Sequence, residues 1–127
     1  MHRTKGKKHR KSDLSKITEK YRKMYFSWRK IKSPALKCDI HFTNKGWQHI
    51  QQDKSRTGVE KEERLKLLID AKHILENSTF FQDKRLQNYR GITHVHYGLV
   101  AFYNGRKITV VLIEGSGQID FFSVFKA

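Results

Sequence analysis

The chain has one cysteine, one proline and only 12 acidic residues among its 127. Each scarcity excludes something. Cys38 alone can neither close an intramolecular disulfide nor anchor a cysteine-rich zinc site. It sits in an apolar–polar alternation and reads as a small core residue. A cytoplasmic compartment fits this cysteine usage. No apolar run is long enough to span a membrane. Residues 1–11 are basic but lack the hydrophobic segment that a secretory signal needs. Pro34, the lone proline, is expected to end a helix and mark a junction. There is no Gly-rich phosphate loop, zincin helix, nucleophile elbow, dinucleotide fingerprint or obvious carboxylate pair. No cofactor and no metal are therefore expected.

The shortage of acids leaves a net charge of +15, and it is unevenly placed. Residues 1–37 hold fourteen Lys or Arg against two acids, whereas residues 38–127 hold thirteen against ten. The basicity belongs mainly to an N-terminal arm. Such a block attracts polyanions through a salt-dependent, sequence-independent term. Nucleic acid, a solubilising tail and an anionic membrane surface are the three readings, and nucleic acid is preferred. Lys7, Lys8, Arg10 and Lys11 are the arm's candidate phosphate contacts.

Residues 1–12 carry no apolar side chain after Met1 and cannot contribute to a core. Residues 13–32 read as a helix, because Leu14, Ile17, Tyr21, Met24, Tyr25, Trp28 and Ile31 recur at three- and four-residue spacing. That helix could dock on the core, bind a partner or lie along a phosphate backbone. Residues 38–42 alternate as a short strand. A helical segment follows through Trp47 and Ile50, then a polar loop at 51–58. A second helix is expected at about 59–76, with Leu65, Leu68, Ile69 and Leu75 facing the core and His73 near the edge. From Thr79 the period changes to two. Residues 92–103 make one strand or two, Asn104-Gly105 is a hairpin turn, and 107–113 and 118–125 are strands. Helices first and an antiparallel meander after them define an α+β domain with helices on one face of a sheet. The arm and its helix, 1–35, are expected to precede a core of 36–127.

The chemistry-bearing residues that remain are histidines, cations and a hydroxyl. His94 and His96 lie two apart on a strand, so they share a face. They could bind a metal, act as base and acid, or simply be solvated. His49, one residue before Ile50, is either structural or catalytic. Arg56 sits in the polar loop, and Arg64 could pair with Glu60 on its own helix. Ser123 interrupts an apolar run and needs a partner if buried. Lys126 follows at the edge. RNA cleavage needs a base for the ribose 2′-OH, an acid for the leaving 5′-oxygen and cations for the phosphorane. These residue types fit that reaction.

The stretches CDIHFTNKGWQHI, ERLKLLIDAKHILEN, ITHVHYGLVAFY and KITVVLI, with the ending IDFFSVFK, resemble the BECR nucleases. This is the barnase–EndoU–colicin–RelE-like superfamily, in its phage and mobile-element branch. The resemblance covers roughly residues 36–127 and rests most specifically on His49-Ile50 and on the closing FFSVFK. It implies two helices packed on a four-stranded antiparallel sheet whose open face holds RNA. It also implies a site drawn from His49, His94 or His96, and Ser123, with Arg56, Arg64 and Lys126 as phosphate partners.

Three functions follow as expectations. One is a metal-independent endoribonuclease acting on transfer or messenger RNA, in the manner of a phage or mobile-element toxin. Another is a non-catalytic nucleic-acid-binding module using the arm. The third is a protein-interaction role, such as a toxin held by a cognate antitoxin or immunity protein, for which helix 13–32 would expose Tyr21, Tyr25 and Trp28.

Overall fold

The structure is a computed structural model, and it describes residues 11–51, 58–115 and 117–126. The elements run α1 (Lys11–Trp28), β1 (Lys30–Ser33), β2 (Cys38–His41), α2 (Asn44–Gln51), α3 (Gly58–Asn77), β3 (Asp83–Tyr89), β4 (Ile92–Tyr103), β5 (Arg106–Gly115) and β6 (Gln118–Lys126). The class is α+β.

Helix α1 stops earlier than its apolar spacing predicts. Arg29 adopts a left-handed φ of 59° and ends it. Residues 30–33, expected in the helix, instead form β1 and pair with β2. Pro34 does not break the helix. It lies in the β1–β2 hairpin, closed by Lys37 N–H donating to Ser33 O at 2.7 Å and by Leu36 N–H donating to the Ser33 hydroxyl at 3.3 Å.

The expected four-stranded antiparallel sheet is corrected to six strands in the order β1-β2-β6-β5-β4-β3. An antiparallel meander, β3 to β6, makes up four of them. The hairpin β1–β2 extends the sheet at the β6 edge, where β2 runs parallel to β6. That parallel pair is short: Ile40 faces Ile119 and His41 faces Asp120. Asn104 and Gly105 both take positive φ, 54° and 74°, the backbone that an Asn-Gly hairpin turn supplies.

The core lies between the helices and one sheet face. On β4, Tyr97 and Leu99 are buried there, with Val95, Ala101 and Tyr103 packed beside them. Alternation turns His94, His96, Gly98, Val100 and Phe102 to the other face. Helix α3 buries Leu65, Leu67, Leu68, Ala71, Ile74 and Leu75, while Ile69, expected inside, is exposed.

Tyr25 ties α1 into this core. It is fully buried. Its ring lies 5.4 Å from Phe42, 5.7 Å from Trp47 and 5.9 Å from Phe121, and its hydroxyl donates to Thr43 O at 2.7 Å. Removing such an aromatic costs about 3–5 kcal/mol. Core residues thus lie on both sides of residue 35, and α1 docks on the core. Tyr21 and Trp28 pack against the same cluster, which takes away the motive for reading α1 as an exposed partner-binding helix. Among the described residues, no helix is long and apolar enough to cross a membrane.

Candidate active site

The short β2–β6 pairing determines where the site forms. Beyond Asp120, no strand among the described residues lies beside β6 on that flank. Helices α2 and α3 pack along β6 instead. Gly46 permits the close approach of α2: a Cβ there would fall 2.5 Å from Phe121 O and 2.6 Å from the Tyr25 hydroxyl. This brings His49, in the last turn of α2, to the sheet.

Strand β6 itself is irregular at this point. Val111 pairs with Ser123 and Leu112 with Phe121, so Phe122 is the extra residue of a β-bulge. Phe121 and Val124 are both fully buried in the core. The two residues between them, Phe122 and Ser123, are therefore both turned from the core side.

Four of the expected residues meet around this bulge. The His49 imidazole stacks on Phe122, with centroids 4.1 Å apart and planes at 27°. His96 approaches the same ring at 5.8 Å. Ser123 is buried, and its hydroxyl accepts a hydrogen bond from Arg64 Nη2 at 2.9 Å. Arg64 comes from α3, so four elements converge: α2, α3, β4 and β6. His94 is a neighbour: its ring lies so close to Gly115 that a Cβ there would sit 2.8 Å from Nδ1. His49 and His94 line one cleft of about 330 Å³ with Phe122. His96 lines a second, of about 360 Å³, floored by Val100, Val111 and Phe125.

The electrostatics favour neutral imidazoles. Burial, then the Arg64 charge, lowers His49 below its ordinary value. Burial lowers His96 likewise, followed by the charges of His94 and Arg85. An unprotonated ring can accept a proton. The Nε2 of His96 is buried without a hydrogen-bond partner among the described residues. The guanidinium of Arg64 and the Ser123 hydroxyl form a polar pair suited to a developing oxyanion.

The remaining expected residues fall outside this cluster. Lys126 pairs with Glu63 at 3.8 Å and shares a groove with Arg64. Arg56, Lys7, Lys8 and Arg10 lie outside the described residues, as does the side chain of Lys11, the first residue of α1. Among the described residues, no three His, Cys, Asp or Glu side chains are grouped as a metal ion would need.

Sequence reasoning missed Phe122, Arg85, Lys45 and Arg90. Phe122 left a signal, because Phe121 and Val124 are three apart in a strand that should alternate. The cations left none, since exposed Lys and Arg are common at any surface. No family model matches the chain, and no curated protein or solved structure is significantly similar to it.

Proposed function

We propose that the chain is a metal-independent endoribonuclease. The carrying observation is that His49 and His96 both approach the Phe122 ring while the next residue of the strand, Ser123, accepts a hydrogen bond from Arg64. A neutral imidazole on one side of that ring takes the 2′-OH proton. The 2′-oxygen attacks phosphorus, and the imidazolium so formed passes the same proton to the departing 5′-oxygen, while the second, neutral imidazole donates its N–H to a phosphate oxygen. The products are a 2′,3′-cyclic phosphate and a 5′-hydroxyl. Arg64 and Ser123 stabilise the phosphorane oxygens, a role worth about 10²–10³ in rate where one such donor has been removed elsewhere. The open face beside the site, with Val100, Val111 and Phe125, offers apolar surface to bases. Transfer or messenger RNA in the cytoplasm is the substrate class.

The test is the chemistry of the cut ends. RNA incubated with the full chain in the presence of EDTA should give 2′,3′-cyclic phosphate ends by mass spectrometry, and 2′-deoxy substitution at the cut should block it. Equal cleavage of the deoxy substrate would remove the 2′-OH from the mechanism and the reading with it.

A second reading rests on charge placement. With fourteen basic residues in 1–37, the chain could act as a nucleic-acid-binding module without cleavage. Deleting residues 1–10, which hold five of those fourteen, should then weaken binding and lower the slope of its salt dependence.

A further inference from the structure

The cleft on the α2 side of Phe122 has a composition of its own. Its walls are Lys45, Gln48, His49, Arg90, His94, Ile113 and Phe122. Two cations, two imidazoles and an amide converge there, and none of the lining residues is a carboxylate. Lys45 comes from the first turn of α2 and Arg90 from the β3–β4 turn, so the charges are gathered by the fold from distant sequence. Lys45 pairs with Asp120 at 3.9 Å, the long limit of an ion pair, with the Lys45 side chain half exposed and free to reach into the cleft while the Asp120 side chain is largely buried outside it. Arg90 is also an unusual turn residue. It holds φ at 53° beside Gly91 at 79°, a backbone that favours asparagine or glycine at both positions. An arginine there supplies a cation at a conformational cost.

We infer that this cleft binds a second, non-scissile phosphate of the RNA strand, held by Lys45 and Arg90, while the reacting phosphate sits by Arg64 and Ser123. This rests on the ribonuclease reading and narrows its substrate to a strand with at least two phosphates. The cleft's volume of about 330 Å³ exceeds what one phosphate needs and leaves room for its sugar. The Phe122 ring, shared by the cleft and the site, sets the two phosphates on its two sides.

The test reads binding rather than cleavage. The probe is a pentanucleotide with 2′-O-methyl riboses, which cannot be cut, and with one linkage at a time made a neutral methylphosphonate. The full chain should lose affinity about tenfold at one linkage beside the scissile one, beyond the uniform loss from the arm. In the Lys45→Gln/Arg90→Gln variant that extra loss should vanish, with the unfolding midpoint unchanged. The same linkage dependence in variant and wild type would overturn the inference, as would uniform dependence in both. The outcomes separate from those of the nuclease reading. RNA bound in this pattern but never cut upholds the subsite and defeats the nuclease, and RNA cut without the pattern does the reverse.

Discussion

The imidazole of His49 lies flat on the ring of Phe122, 4.1 Å between centroids. One residue belongs to a helix end and the other to a strand bulge, so the contact measures how α2 is seated on β6. Phe122 should therefore act as a positioning residue. Phe122→Leu removes the flat surface and frees the His49 ring. Single-turnover cleavage should fall by about 10²-fold, the size of effect expected from a misplacement near 1 Å. Phe122→Tyr should retain most of the rate. A leucine variant as fast as wild type, with an unaltered pH profile, would deny Phe122 this role.

Gly46 makes the same seating possible. A methyl at this position collides with backbone at Phe121 O and with the buried Tyr25 hydroxyl. Gly46→Ala should destabilise the fold by about 1–3 kcal/mol through overpacking, read from urea denaturation. It should slow cleavage as well, because His49 rides on the displaced helix. Gly105→Ala, in a turn with nothing near its missing Cβ, serves as the control. It should lower stability through its positive φ without touching the site.

Arg64 and Ser123 should behave as a coupled pair. Either Arg64→Ala or Ser123→Ala removes the 2.9 Å hydrogen bond. The double variant should then lose less than the two single losses combined. Arg64→Lys should not restore the rate, because an ammonium lacks the planar fork of a guanidinium. Strict additivity in cleavage rate would mean that the hydrogen bond has no part in the reaction.

Stability should depend on pH in a defined sense. His49 and His96 are both lowered from the ordinary value of 6.5. In the unfolded chain these rings take up protons as pH falls through that value, while the folded rings resist. The unfolded state then binds more protons, and stability declines as the medium acidifies below about pH 6.5. Above it both states are neutral and the effect disappears. The urea midpoint of wild type should drop on going from about pH 7 to about pH 5, and His49→Gln/His96→Gln should flatten that drop. Identical slopes in the two proteins would show that these rings are not held neutral by the fold.

The sequence was most readable where patterns were long and local. Helix α3 was expected at 59–76 and spans Gly58–Asn77. The Asn104-Gly105 turn followed from its residue types alone. Strand β1 was hidden because Ile31 continued the helical spacing of Trp28. Strand β3 was hidden because Leu86 is the one aliphatic residue in DKRLQNY, too few to reveal a period of two. The parallel β2–β6 pairing joins residues nearly eighty positions apart, and no local signal encodes it. His49, His96, Arg64 and Ser123 could be named from residue type and position. Their gathering along β6 depends on the bulge and on the short β2, which are products of tertiary packing.

The most direct test is single-turnover cleavage of end-labelled RNA, with EDTA present, by the full chain and by His49→Ala, His96→Ala and Ser123→Ala. The account predicts that wild type cuts and that each variant is slower by about 10²-fold or more, with unfolding midpoints close to wild type. RNA left intact by excess wild type, or cut equally fast by all three variants, would contradict it.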